Sequence, residues 1–254
     1  MVDYDERLHA VYAEGRKLAP EGLQAWLREF AADAPAERPL AVLDLGCGIG
    51  RFTPALAEEF GGPVYGVEPS EQMRRQALQE AAHPQVTYLA GSAEAIPLPD
   101  DSVDLVLLFL TLHHWNDRQQ GMTEVARVLR PGGVVLLRTQ FADRMPDVHW
   151  YRYFPSARRV DAAMYLGLDE VRELVEQAGL VPDPEPRWVK ATEARTLRAS
   201  YERVKLRALS TFEHLPPDEL EAGFAAFEKD AAAEPDREVP VVAAGLLVLR
   251  RPAG

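Results

Sequence analysis

Several things are scarce in this sequence of 254 residues, and each scarcity excludes a class of protein. There is one cysteine, Cys47, which rules out an intrachain disulfide framework and any multi-thiolate metal site and points to a reducing compartment. Positive charge is short: 28 Lys and Arg stand against 40 Asp and Glu, a net −12, so the chain as a whole repels a phosphate backbone or an anionic membrane. Long apolar runs are missing. The longest, around Val103 to Leu112 and Val241 to Leu249, reach about half of the roughly 20 residues a spanning helix needs. The first ten residues, MVDYDERLHA, are acidic and polar where a secretory leader would be basic and then apolar. These absences lead to the expectation of a cytoplasmic protein with no membrane span and no metal. Apolar residues make up 47% of the chain, enough for a large core.

From Leu40 to Leu137, short aliphatic runs alternate with longer charged segments of helical period, the pattern of parallel strands joined by crossover helices. The strands are expected at Leu40–Leu45, Val64–Val67, Val86–Leu89, Val103–Leu108 and Val134–Thr139. Helices are expected at Arg51–Phe60, Glu71–Ala82 and Asp117–Leu129, the last stopped by Arg130-Pro131-Gly132-Gly133. A further crossover helix over Gly167–Ala178 and strands at Arg187–Ala191 and Val239–Leu249 follow, with helix-patterned sequence between the last two. The expected architecture is α/β: a Rossmann-like, doubly wound, mostly parallel sheet of seven strands. Residues 1–34 form an N-terminal helical cap, and residues 35–254 the core, with cap insertions at about 141–166 and 192–236.

The segment VLDLGCGIGR, residues 42–51, leaves the first strand and opens a helix, the position in which a glycine-rich loop lets a ligand approach the backbone. Its third glycine, Gly50, comes one residue too early for a dinucleotide fingerprint, and no Walker lysine follows. Asp44 at the strand end favours a ligand carrying positive charge over a phosphate. Glu68 ends the second strand, 22 residues after Gly46, where an acid can accept hydrogen bonds from ribose hydroxyls.

With these residues in place, the sequence resembles the class I S-adenosylmethionine-dependent methyltransferases of the small-molecule (UbiE-like, type 11) group. The resemblance runs through VLDLGCGIGRFT, GVEPSEQM, GSAEAIPLPDDSVDLV, FLTLHHW and RVLRPGG, in order over residues 42–133. It implies S-adenosylmethionine as cofactor and S-adenosylhomocysteine as product. Asp44, Gly46, Cys47 and Gly48 would line the methionine part, Glu68 would take the ribose, and Pro69 and Met73 would flank adenine. Ser92 and Ala93 stand where the family places an Asp and a backbone amide against the adenine edge, so the charge-assisted bond is lost there and Glu94 is the candidate to replace it. Phe109 and Leu110 would pass beneath the sulfonium. Tyr12 and Arg16 resemble a segment that covers the cofactor, with the guanidinium near its carboxylate and Tyr12 toward substrate; the alternative is an ordinary amphipathic helix surface.

Methyl transfer needs a base only when the acceptor must lose a proton. His113 and His114, at the mouth of the fourth strand, are the catalytic candidates; alternatively they close over the cofactor, with Trp115 as an aromatic plug at the substrate side. Trp150, Tyr151 and Tyr153 belong to the most aromatic stretch of the chain and are read as substrate-binding, or else as core anchors under a long loop. From Arg187 to Arg207 there are seven bases against two acids, a run able to steer an acidic substrate or to form the solvated face of a helix. The expected partner is a small, partly apolar methyl acceptor, with transfer to O or N ahead of C and nucleic acid disfavoured by charge. A cofactor-binding scaffold without turnover and an RNA-modifying enzyme are the rival readings, and both monomer and homodimer remain open.

Overall fold

The computed structural model describes residues 19–190 and 195–254. The first described element is helix α1 (Pro20–Asp33), started by a proline in its first turn. Then come β1 (Leu40–Leu45), α2 (Thr53–Phe60), β2 (Gly61–Glu68), α3 (Glu71–Glu80), β3 (Val86–Ala90), β4 (Val103–Phe109), α4 (Arg118–Val128) and β5 (Leu129–Thr139). The five strands pair in parallel in the order β3-β2-β1-β4-β5. Adjacent residues of β4 divide between the two faces, Leu105 and Leu107 to one and Val106 and Leu108 to the other. A strand with both faces covered must be apolar throughout, which is why these segments read as unbroken aliphatic runs. On one face Trp26, Leu27 and Phe30 of α1 pack with Leu56 and Phe60 of α2. On the other, Met122 and Val125 of α4 pack with Leu168, Val171 and Val175 of α6 (Leu168–Gln177).

The order of elements follows the sequence reading, with three departures. Strand β5 begins at Leu129 rather than Val134: Leu129 pairs with Val103, and the register slips before Leu105 meets Val134, so the Pro-Gly-Gly segment is looped out within the strand. The single strand expected over Val239–Leu249 is broken after β9 (Glu238–Val239), and the chain resumes as β10 (Ala244–Arg250). Pro240 lies in the break and supplies no backbone N–H for a ladder. Finally, β10 runs antiparallel between β5 and an edge filled by two short strands, β6 (Val181–Pro182) and β7 (Arg187–Val189). The sheet thus has eight strands in seven positions, and β6 carries too few residues to signal itself by pattern.

A third apolar cluster lies off this sheet. It gathers Trp150, Tyr151, Tyr153 and Phe154 from the 3-10 turn at His149–Tyr153 and the residue after it, with Tyr201 of α7 (Leu197–Lys205), Phe212, and Phe227 of α8 (Pro217–Ala233). Helix α5 (Ala157–Met164) joins it through Ala157 and a buried carboxylate, Asp161, which accepts from the Tyr151 hydroxyl at 2.6 Å and from Thr211. A two-stranded ribbon of β8 (Arg195–Thr196) and β9 ties its ends together. Among the described residues no helix is long and apolar enough to cross a membrane, and no group of His, Cys, Asp and Glu could hold a metal ion.

Candidate functional site

The sheet order reverses between β1 and β4, and the crevice beyond the carboxyl ends of strands at such a point is where open α/β sheets take ligands. One cavity lies there. Its wall is made by Leu45, Gly46 and Gly48 after β1, Glu68, Pro69 and Met73 after β2, Ser92, Ala93 and Glu94 after β3, and Phe109 to Thr111 with His114 to Asn116 after β4.

The loop after β1 is built by its glycines. Gly46 has φ +74°, and a side chain there would collide with the Thr111 hydroxyl; Gly50, at φ +79°, leaves room for the Tyr88 hydroxyl and for Ala81. The backbone amides of Gly46 and Cys47 both donate to the Val67 carbonyl, at 2.8 and 3.2 Å. Glu68 is buried and holds two loops: its Oε2 accepts from the Gly48 amide and its Oε1 from the Ser70 amide, both at 3.0 Å. Ser70 then caps α3, its side chain accepting from the Met73 amide at 3.2 Å. The carboxylate therefore fixes both the glycine loop and the start of the helix that carries Met73.

Asp44 is buried beneath the loop rather than on the cavity wall. Thr53 Oγ1 donates to its Oδ2 at 2.7 Å. Burial raises its carboxyl to about 6, against the lowering effects of the Thr53 hydrogen bond and nearby Arg51. Cys47 also stands back from the wall. Its sulfur packs against Gly66 of β2, and burial, with Asp44 and Glu68 nearby, pushes its thiol well above the ordinary range, which removes it as a nucleophile.

At the other end, Leu110 is a non-glycine residue at φ +58°, its amide donating to the Arg138 carbonyl at 2.9 Å. That sterically costly conformation turns the chain sharply from β4 into the 3-10 turn Leu112–His114. Trp115 Nε1 donates to Thr111 Oγ1 at 3.3 Å. His114 reaches the cavity, and His113 lies behind it, with ring centroids 3.9 Å from His114 and 4.6 Å from Tyr165. Glu94 accepts from the amides of Asn116 and Asp117 at 2.8 and 3.2 Å. Burial raises its carboxyl, but these and other hydrogen bonds outweigh that and hold it below the usual range. Glu94 is thus already engaged with backbone amides where the sequence reading had it replacing an aspartate at position 92.

The cavity therefore gathers Gly46, Gly48, Glu68, Pro69, Met73, Ser92, Ala93, Phe109, Leu110, His114 and Trp115 of the residues singled out in the sequence. It leaves Asp44, Cys47 and His113 behind its wall. Tyr151 and Tyr153, expected at the substrate, sit in the third cluster with their hydroxyls committed to Asp161 and to Asp230 at 3.0 Å, and Tyr153 stacks on Phe227 at 4.2 Å. Trp150 lines a different cavity. Tyr12 and Arg16 lie outside the described residues. Thr111 and Asn116 were missed; a lone threonine inside the apolar run FLTL was the one available signal for the first.

A doubly wound sheet with a glycine loop and a buried acid at the end of the next strand is the arrangement of a nucleoside-ligand domain. Comparison with known proteins agrees. Residues 43–137 match the family model described as a methyltransferase domain. An uncharacterized methyltransferase of Mycobacterium tuberculosis is 43% identical over 122 residues, 48% of this chain and 46% of the relative. A demethylmenaquinone methyltransferase of Anoxybacillus flavithermus is 28% identical over 203 residues, 70% of this chain and 83% of that one. Among solved structures, a putative methyltransferase from an antibiotic biosynthesis pathway of Anabaena variabilis superposes with a TM-score of 0.70 at 25% identity, covering 89% of this chain and 96% of that one. The match spans about half the length of the mycobacterial relative. Over residues 43–137 the chain is similar to the class I S-adenosylmethionine-dependent methyltransferases.

Proposed function

We propose that the protein is an enzyme that transfers a methyl group from S-adenosylmethionine to an oxygen or nitrogen of a small, partly apolar molecule. The observation that carries this is the convergence of four strand ends on one cavity lined by the buried carboxylate Glu68 and by Leu110, His114 and Trp115. The donor set fits the cofactor. A buried carboxylate on the second strand, apolar Met73 and Pro69 beside it, and an open glycine loop suit ribose, adenine and a methionine chain bearing a sulfonium and an ammonium group; nothing in the set suits a pyrophosphate. When bound, S-adenosylmethionine supplies an electrophilic methyl group on a sulfonium.

In this reading Glu68 accepts from ribose hydroxyls, and Met73 and Ala93 enclose the adenine ring. The backbone of Phe109 and Leu110 sets the floor under the reacting centre, and the fixed turn at Leu110 holds it in one geometry, so acceleration comes largely from orientation and exclusion of water. In this reading His114 takes a proton from a hydroxyl or amine acceptor, with the His113 ring tilted against it and Tyr165 beyond His113. The segment containing Tyr12 and Arg16 and the layer formed by residues 141–166 and 192–236 are proposed to cover the acceptor. The names of the relatives support a small-molecule acceptor and leave its identity open.

The test is calorimetric titration with S-adenosylmethionine and S-adenosylhomocysteine, with NAD and NADP as controls. Binding of the first pair alone is expected, and Glu68→Gln should weaken it by about tenfold or more. Equal binding of NAD, or an affinity indifferent to Glu68→Gln, would overturn the reading.

A further inference from the structure

A second cavity lies off the sheet, between the His149–Tyr153 turn, α7 and the β8–β9 ribbon. Its apolar sides include Trp150 and Leu209, and its polar groups are Arg195, Arg203, His149 and Ser200. None of its described lining residues is acidic. The basic run of the sequence divides here. Arg187 bridges to Glu29 and Asp33, Arg198 to Glu202 at 3.3 Å, Lys205 lies 5.3 Å over the Tyr201 ring and Arg207 4.8 Å over Phe224. Arg195 and Arg203 also hold interactions of their own, and both line the cavity. His149 Nε2 lies 2.6 Å from the Ser200 hydroxyl. Burial, then Arg237, Arg195 and Arg152, lower the imidazole to about 4, so at neutral pH the positive charge of the cavity belongs to its guanidiniums.

A smaller space adjoins this cavity. It shares Val148 and Val242 with the second cavity and is also lined by Arg138, Gln140 and Trp188. Gln140 Oε1 is buried and has no hydrogen-bond partner among the described residues, a defect that a hydroxyl on a bound molecule would repair. The Arg138 guanidinium lies 5.7 Å from the ring centroid of Phe109, which is part of the first cavity's wall.

We propose that these spaces form one acceptor path, and that the acceptor is an elongated amphipathic anion, its reacting end at Leu110 and His114 and its carboxylate or phosphate held by Arg195 and Arg203. This rests on the methyltransferase reading and adds the substrate class. A guanidinium pair beside apolar walls binds an oxyanion by paired, charge-assisted hydrogen bonds while the walls take the hydrocarbon. A neutral chain of the same length gains only the second part.

The experiment is calorimetric titration of the full chain with decanoate and with decanol, alongside S-adenosylhomocysteine in the same preparations. Decanoate should bind about tenfold tighter than decanol. The double variant Arg195→Ala with Arg203→Ala should bring it down to the level of decanol, and Arg203→Lys should keep it within about threefold of wild type. Gln140→Trp, which fills the connecting space, should weaken both probes. Melting curves of each variant verify folding, and homocysteine-nucleoside affinity should be unchanged throughout. Equal binding of decanoate and decanol, no binding of either, or indifference to the arginine pair overturns the anion site. Indifference to Gln140→Trp overturns the continuous path. If S-adenosylhomocysteine fails to bind while decanoate retains its charge dependence, the cofactor reading fails and the acceptor assignment falls with it.

Discussion

The cleft at the strand ends and the aromatic cluster off the sheet are built on opposite principles. The cleft is made from backbone: glycines at positive φ, amides donated to Glu68 and Val67, and the turn at Leu110. The cluster is made from side chains: Trp150, Tyr153, Phe154, Tyr201, Phe212 and Phe227 in edge, tilted and stacked contacts at 4.2 to 6.1 Å. The first demands particular residues at particular places. The second demands volume and shape, which many sequences can supply. A cofactor common to a whole family can be served by the first kind of construction, whereas an acceptor particular to one protein needs a surface that can be recut without disturbing the sheet.

The contrast should show most strongly in Phe227→Ala. Phe227 is fully buried and stacked on Tyr153, so its loss should cost about 3–5 kcal/mol while any protein that remains folded binds S-adenosylhomocysteine as before. Denaturant unfolding and calorimetry read the two effects separately; a parallel loss of nucleoside affinity would mean that the two regions are coupled. Gly46→Ala should behave in the reverse sense. The left-handed backbone and the collision with Thr111 should cost roughly 2–4 kcal/mol, and nucleoside binding should vanish even where the fold persists at low temperature.

The smallest effect concerns Asp44 and pH. Its folded value of about 6 lies above the unfolded 3.8, so the folded state holds the proton more tightly and stability falls as pH rises through that window. Asp44→Asn should therefore raise the melting temperature of the ligand-free protein at pH 7.5, and the gain should shrink as pH falls through 6 toward 4. A gain independent of pH would mean that the carboxyl is not the titrating group.

The same division explains what could be read in advance. The strands β1 to β5 and their helices announce themselves because both faces are covered and each strand is short, local and aliphatic. The cleft was legible in part for the same local reason: Gly46, Gly48 and Glu68 follow from the ends of β1 and β2, whereas Ser92 and Leu110 came only through the family resemblance. Whether a side chain at such a place faces the cavity or turns under the loop was not legible, and Asp44 and Cys47 turned under. The aromatic stretch was visible as a stretch, but what it packs into comes from far along the chain: Tyr153 bonds Asp230, 77 positions on, and Asp161, the partner of Tyr151, is bonded in turn by Thr211, 50 positions on. Pairing over such distances is decided by packing, to which local periodicity is blind. The edge strand β6 was obscured by its length of two residues, whereas β7 was read from its first residue, Arg187.

The place of β10 has a consequence for how the chain acquires its fold. It is the last strand in sequence, yet it is interior in the sheet, with Gly245 beside Thr139 on one side and Trp188 on the other. Everything from β6 to β9, including the two helices that build the aromatic cluster, must be synthesised before that gap can be filled. Until then β5 offers an unpaired edge to the crowded solution around the ribosome, and closing it requires a contact between residues about a hundred positions apart, the kind of step that slows folding.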